Sequence, residues 1–388
     1  MSEEPRRCTF CVMDDIESAI TFDDEGRCNL CRDAELKLTT DLFPGEEGER
    51  VLESVVDQIK EEGRGREYDC VLGVSGGVDS TYCAYRAIQL GLRPLAVHLD
   101  NGWNSELAVN NIEMTIRTLD IDLVTVVVEW EDIRDLQRSF LRASLPDVEV
   151  VSDHAICATL YREAAKRSVR YIIAGNNVSG ESLMPLHWGY DQRDGRHVRA
   201  IHRRFGERKL RTYPGISAAR MLYCILLKRI KYVSVLNYGD YNKDEAIKLL
   251  QREVDYRPYQ RKHGESRFTR FFQEYYLPTK FNFDKRKAHF SSLIVSGQMT
   301  RSGALELLEK PLYDPHELEM DIEFVCKKLD FTREEFDEIM GRPARDHWSY
   351  PNNYWMFRRS NPITQLIRSF AKGELGRRGG ARQLPAKR

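Results

Sequence analysis

Between the apolar run Cys70 to Val74 and a helix-forming stretch from Thr81 to Leu90, the chain carries Ser75-Gly76-Gly77-Val78-Asp79-Ser80. No other feature restricts the fold as strongly. A buried strand, two glycines and a helix start bring free backbone N–H groups and the positive end of a helix dipole to one spot, which is an anion nest. The same grain continues downstream. PLAVHLD (94–100) reads as a strand, Glu106 to Leu119 as a helix, LVTVVVE (123–129) as a strand, Ile156 to Arg167 as a helix and VRYIIAG (169–175) as a strand. This alternation predicts an α/β fold with a doubly wound parallel sheet and crossover helices. Ligands of such sheets sit beyond the carboxyl ends of the strands, which singles out Asp100 and Gly175-Asn176-Asn177 beside the loop.

Ser75 and Ser80 can donate hydroxyl hydrogen bonds, whereas Asp79 would be repelled by bare phosphate, so Mg²⁺ is its expected partner. The Walker pattern is absent. The loop instead resembles the PP-loop of N-type ATP pyrophosphatases, which hold the pyrophosphate leaving group of ATP and transfer AMP. The resemblance implies ATP contacts at Val74, Ser75, Gly76, Gly77, Asp79 and Ser80, with Asp100 near the adenosine and Gly175 and Asn176 in a second nucleotide-facing loop. Taken alone, an Asp at a strand end is more often a helix cap.

Cys8-x2-Cys11 and Cys28-x2-Cys31, with 16 residues between the pairs, have the spacing of a four-thiolate Zn²⁺ site, with Gly26 turning the hairpin between them. Four protein ligands leave no position for substrate, so this metal would be structural, stabilising a module too short to form a core unaided. An iron–sulfur cluster fits the same spacing. Of the other five cysteines, Cys70 and Cys83 lie in apolar elements. Cys157 reads as starting a helix, where a thiolate would be stabilised, though it lacks the partner of a sulfur-relay pair.

The chain has 388 residues, with 59 basic against 60 acidic ones, a balance that argues against a general nucleic-acid binder. Its start, MSEEPRRCTF, lacks a signal-peptide core, and Met221 to Leu227 is far shorter than a membrane span and reads as a core helix. A cytoplasmic protein without a membrane partner is expected. A zinc-ribbon module is expected at 1–36, a linker at Thr39 to Gly48, a helix at 51–62, the ATP-binding α/β domain at 49–215, a mainly helical substrate-binding region at 216–372 and a disordered basic tail at 373–388. Residues 181–215 show no period and read as a long substrate loop or an insertion.

Residues 256–301 are dense in aromatic and polar side chains. Phe268, Phe271, Phe272 and Tyr275 fit the apolar stripe of a helix, while Lys262, His263, Glu265, Ser266, Arg267 and Thr269 crowd its start as a polyhydroxylated anionic ligand would require. Arg270 with Glu274, four apart, would also pass for a surface pair. Asp284-Lys285-Arg286 with His289 forms a second polar group.

CTFCVMDD, ITFDDEGRCNLC, GVSGGVDSTY, VSDHAI, AGNN, KHGESRFTRFFQEYYLPTKF and DKRKAHFSSLIVSGQMTR together resemble the N-acetyl sugar amidotransferase family, the WbpG and PseA type of bacterial surface-glycan biosynthesis. The resemblance spans nearly the whole chain, loosely at 181–215 beyond Trp188-Gly189-Tyr190-Asp191. It implies conversion of a sugar acetamido group to an acetamidino group: AMP transfer to the amide oxygen, then attack by ammonia. On this reading Asp79, Lys262, Asp153, Lys285 and Arg286 are the catalytic candidates, with His154 as an alternative to Asp153 for positioning the nitrogen. His263, Glu265, Ser266, Arg267 and Arg270 are the candidates for binding the sugar. No glutaminase signature is present, so ammonia is expected from a HisH-like glutaminase with a HisF-like channelling barrel. A PP-loop tRNA-thiolating enzyme is the main alternative, with Arg257, Arg261, Lys262, Arg267 and Arg270 as its RNA-binding face. A non-catalytic nucleotide-binding regulator is a third reading.

Overall fold

The computed structural model describes residues 5–259, 264–357 and 361; Lys262, His263, Arg261 and the 373–388 tail lie outside them. Five parallel strands form one sheet in the order β3-β2-β1-β4-β5: β1 Cys70–Gly73, β2 Pro94–Asp100, β3 Leu123–Val127, β4 Tyr171–Ala174 and β5 Lys231–Ser234. The helices before and between them are α1 Asn29–Asp41, α2 Gly45–Gly63, α3 Val78–Gln89, α4 Glu106–Leu119, α5 Trp130–Arg142, α6 Val150–Lys166, α7 Val178–Glu181, α8 Gly195–Phe205 and α9 Ala218–Leu222. After β5 come α10 Lys243–Glu253, α11 Arg267–Phe271, α12 Leu277–Phe281, α13 Lys285–Val295, α14 Arg301–Leu308, α15 Pro315–Leu329 and α16 Arg333–Gly341.

The expected doubly wound sheet is present, and the two-residue period of its strands shows why. Cys70, Leu72, Ala96, Tyr171 and Ile173 pack on one face with Leu52, Val55, Val56 and Ile59 of α2 and with α3. Val71, Leu95, Val97 and Ile172 pack on the other with Ala158, Leu160 and Tyr161 of α6 and with Met221. Side chains on alternate faces of each strand thus need a helix layer on both sides.

The chain departs from its expected organisation at two points. The region from Ile216 on is mainly helical, as expected, but Lys231–Ser234 pairs with β4 as a fifth strand, and Val233 joins the core under α2 and α3. The stretch at 39–48 is no extended linker, because α1 runs to Asp41 and α2 starts at Gly45. The 221–227 segment is helical, with a π-helical turn at Tyr223–Leu227, but only Met221 and Cys224 are buried; Leu226 and Leu227 are 48% and 74% exposed. Within the described residues no helix is long and apolar enough to cross a membrane.

A second core joins α5 to the C-terminal helices: Phe140 and Leu136 pack with Phe268, Phe271, Phe272, Val325, Leu329 and Phe336. The aromatic stripe expected at 268–275 is this core's centre. The aperiodic stretch after α7 is clamped to α5 by carboxylates. Buried Asp132 accepts the backbone N–H groups of Arg211, Thr212 and Tyr213 at 2.8, 2.7 and 3.0 Å, and Asp135 accepts His202 Nε2 at 2.8 Å and the N–H of Glu207 at 3.0 Å. A loop held by such polar clamps needs no apolar repeat.

Candidate functional site

Strand order reverses between β1 and β4, so the loops that leave these two strands flank the place where open α/β sheets bind ligands. The first is the glycine loop. Gly76 takes φ +78°, and a β-carbon there would lie 2.5 Å from the carbonyl oxygen of Ala108 on α4. The loop is closed on itself by Ser75 Oγ and Ser80 Oγ, 3.1 Å apart, and by the N–H of Gly77 donating to Ser75 Oγ at 3.3 Å. Val78 opens α3, so the dipole of a 12-residue helix points at the loop. The second loop lies against the first: a β-carbon on Gly175 would approach the backbone carbon of Asp79 to 2.9 Å. The structure therefore brings Val74 to Ser80 together with Gly175 and Asn176, as the sequence implied. Asn176 Oδ1 accepts the hydroxyl of Tyr232 at 2.8 Å, and Asn177 caps α7.

Two tyrosines that the sequence reading passed over hold this loop. Tyr241 donates to the Asp79 carboxylate, and both burial and that carboxylate push its phenol up, so it stays a donor. Tyr259 donates to the carbonyl of Gly76 at 2.9 Å. Asn111 of α4 pins the approach to Tyr259 by accepting the N–H of Arg257 at 3.0 Å and donating to its carbonyl at 2.9 Å. Lone tyrosines far along the chain carry no motif, so no sequence signal marked them.

Asp100 closes an Asx turn at the end of β2, accepting the N–H of Gly102 at 2.9 Å and the side chain of Asn104 at 3.3 Å. Directly after it the chain meets the C-terminal region: the N–H of Ser105 donates to the carbonyl of Glu265 at 2.9 Å, and Asn104 bridges Ser266. Ser266 then caps α11 through the N–H of Thr269.

The other sugar-binding and catalytic candidates divide. Arg267 and Arg270 both pair with fully buried Asp321, Arg267 at 2.6 Å, and Tyr313 donates to the same carboxylate at 2.8 Å. Their guanidiniums fasten α11 to α15. Arg286 forms a fork with Asp284 and donates to the carbonyl of Lys310 at 2.7 Å, holding the end of α14. His154 is spent as well: Ile216 N–H donates to its Nε2 at 3.1 Å, which leaves Nδ1–H to donate to the carbonyl of Gln192 at 2.6 Å. Burial holds this ring neutral, so it is a clamp between two loops. Cys157 lies in the middle of α6, not at its start, and burial pushes its thiol up to about 12, which removes the thiolate argument.

Asp153 and Lys285 lie within range of each other's charge. Lys285 acts electrostatically on Asp147, Glu149 and Asp153, all three raised above the ordinary carboxylate range chiefly by burial. Glu149, which the sequence reading missed, is pushed up to about 7 by burial, against the opposing pull of Lys285 and of a hydrogen bond from Thr269. Asp153 is exposed at the surface of α6.

Cys8, Cys11, Cys28 and Cys31 are all buried and their sulfurs lie within 4.8 Å of one another. Cys8 to Cys31, Cys11 to Cys28 and Cys28 to Cys31 are 3.9, 3.7 and 3.5 Å apart, close to the edge of about 3.8 Å that a tetrahedron of 2.3 Å zinc–sulfur bonds requires. Backbone N–H groups of Cys11 and Cys28 point at Cys8 Sγ, 3.4 and 3.2 Å away, which favours thiolate. The residues fit a structural metal. The module leans on α13 and α14: Arg301 donates to the carbonyls of Cys8 and Cys11, both at 3.0 Å, and Lys287 pairs with Asp14.

Comparison with known proteins adds one assignment. Residues 265–361 match the family model described as LPS biosynthesis protein WbpG-like, C-terminal domain. No curated protein matches the chain. Among solved structures it is similar to an NH3-dependent NAD synthetase from Campylobacter jejuni subsp. jejuni NCTC 11168, in complex with the nitrate ion, at 18% identity and TM-score 0.28 over 54% of this chain and 85% of that one. It is also similar to an NMN synthetase from Francisella tularensis, at 14% identity and TM-score 0.30 over 74% of this chain and 98% of that one. At these scores the superpositions carry no argument, and the fold rests on the strand order above. The stretch from Glu265 is WbpG-like, as its two long sequence blocks implied.

Proposed function

We propose, from the WbpG-like nature of residues 265–361, that this chain is an ATP-dependent amidotransferase. It would convert an acetamido group of a bacterial surface-glycan sugar, nucleotide-linked or a nonulosonic acid, to acetamidino, releasing AMP and pyrophosphate. One observation carries the reading: the first residues of the matched stretch, Glu265 and Ser266, pair with Asn104 and Ser105 at the carboxyl end of β2, beside the anion nest. The WbpG-like stretch and the glycine loop thus meet at one end of the sheet.

An amide carbonyl is a poor electrophile and its oxygen a poor leaving group; AMP on that oxygen corrects both faults. In this reading the N–H groups of the 75–80 loop and the start of α3 bind the β- and γ-phosphates of ATP, and the hydroxyls of Ser75 and Ser80 add donors. Asp79, oriented by Tyr241, would hold Mg²⁺, which neutralises charge on the departing pyrophosphate. Asp100, Gly175 and Asn176 border the nucleotide. Lys262 and His263 belong to the same proposal as phosphate and sugar ligands. Zn²⁺ in the four-cysteine site would keep the N-terminal module folded against α13. Ammonia would come from a HisH-like glutaminase through a HisF-like barrel.

The test is incubation of the purified protein with α-labelled ATP, ammonium chloride and a panel of UDP-linked acetamido sugars and acetamido nonulosonic acids. AMP that forms only with one of these sugars, together with a product lighter by the difference between O and NH, is the expected result. ADP, or AMP formation indifferent to all of them, would overturn the reading.

A further inference from the structure

We infer that Glu149 is the base that takes the proton from the nitrogen attacking the activated acetamido carbon, at the junction where the start of α6 meets α11. The inference rests on the amidotransferase reading. Glu149 stands at the start of α6, and Ser152, Asp153 and Ile156 follow it at intervals of three, four and seven residues, so the four share one face of the helix. That face is turned to the ligand end of the sheet: Asn101, the residue after β2, donates to Ser152 Oγ at 2.9 Å. It is also open. Asp153 and Ile156 are exposed, whereas His154, Ala155 and Cys157 between and beside them are buried.

The facing residues come from the WbpG-like stretch. Thr269 of α11 donates to Glu149 Oε1, and the charge of Lys285 of α13 acts on Glu149, Asp147 and Asp153 alike. Glu181 of α7 adds its charge at Asp153. Glu149 makes no side-chain cap to α6. It is instead held across the junction of the two regions. Its proton affinity, centred at about 7, suits a group that must both accept and release a proton near neutral pH.

The step balances as follows. The nitrogen lone pair of ammonia forms a bond to the imidate carbon, and the C=N electrons move onto the sugar nitrogen. Glu149 carboxylate takes one proton from the new ammonium centre. The electron pair so freed forms the new C=N bond as the C–O bond to AMP breaks, its electrons leaving with the phosphate. The glutamic acid passes its proton to water along the open side of Asp153. Ile156 offers the apolar surface against which the acetyl methyl would rest.

The experiment compares wild type with Glu149→Gln, which keeps an acceptor for Thr269. The sugar-dependent exchange of labelled pyrophosphate into ATP, which reports adenylation alone, should be retained. Ammonium-dependent amidine formation should fall about 10²–10⁴-fold, the range of general-base contributions. Hydroxylamine, whose N–O bond makes the attached ammonium centre acidic enough to lose its proton to water, should restore much of the loss. Full turnover with ammonium in Glu149→Gln would overturn the inference, as would a loss that hydroxylamine leaves untouched while exchange persists. Thr269→Val covers the case in which Glu149→Gln does not fold. Removing a donor that lowers the carboxyl's pKa should move the acid limb of the pH–rate profile upward, and an unmoved limb counts against Glu149. If wild type shows neither exchange nor AMP with any acetamido sugar, the amidotransferase reading itself has failed.

Discussion

Replacing Gly76 by alanine separates two costs that the anion nest imposes. The residue sits at φ +78°, a left-handed conformation that costs an L-residue about 1–2 kcal/mol. Its new β-carbon would also stand 2.5 Å from the carbonyl oxygen of Ala108 and 3.0 Å from the carbonyl carbon and Cα of that residue. These are backbone atoms in the first turn of α4, where Ala108 is fully buried, so they cannot swing aside as a side-chain tip would. Forced overpacking of this kind costs about 1–3 kcal/mol, which brings the sum to about 2–5 kcal/mol. Gly65 is the internal control: its φ is +77° and nothing lies within 4 Å of the added carbon, so Gly65→Ala carries the conformational cost alone. Thermal unfolding of both variants, with ATP titrated calorimetrically, should show the larger loss of stability in Gly76→Ala. ATP affinity should fall in that variant only. Equal losses in the two, with ATP binding intact in Gly76→Ala, would refute the close approach of loop and α4.

Cys11→Ser, or prolonged chelation of wild type, should release one zinc per chain by colorimetric assay and lower the melting temperature, because the module's fold depends on its metal; a zinc-free protein of unchanged stability would contradict this. Asp321→Asn should destabilise the chain by about 2–4 kcal/mol in denaturant titration, less than a fully buried pair would lose since Arg267 and Arg270 each keep a partial path to water. Tyr241→Phe removes one hydrogen bond to Asp79 and should weaken Mg²⁺-dependent ATP binding about 3–10-fold without unfolding the protein. Stability should also follow the raised carboxyls. Glu149 has a higher proton affinity folded than its ordinary 4.5, so its contribution is fully present below about 4.5 and is lost as pH rises through about 7. Asp147 and Asp153 shift in the same direction, so wild-type melting temperature should fall over that window, and Glu149→Gln should flatten part of the fall.

What the sequence made legible follows from where its information lies. β1, β2 and β4 are apolar runs with neighbours on both faces, and their burial wrote them plainly. β5, with Lys231 and Tyr232 in only four residues at the sheet's edge, has no such run, and a helical neighbourhood hid it. The four cysteines and the glycine loop were readable because metal and anion binding need fixed residue types at fixed spacing. The structural partners of Arg267, Arg270 and Arg286 were hidden for the opposite reason. A charged residue next to a motif reads as a ligand contact, while its partner, Asp321 or the end of α14, lies far along the chain or reveals itself only in three dimensions. Glu149 was missed because nothing local distinguishes it; its character comes from α11 and α13, more than a hundred residues away.

The account's central claim is that the nest at Ser75 to Ser80 lets ATP be cleaved between its α- and β-phosphates to activate an acetamido sugar. Chromatography of α-labelled ATP after incubation with the protein, ammonium and the acetamido-sugar panel tests it most directly. Label recovered as AMP, in step with amidine formation, is the predicted result. Label recovered as ADP, or left in ATP while amidine forms, would contradict it.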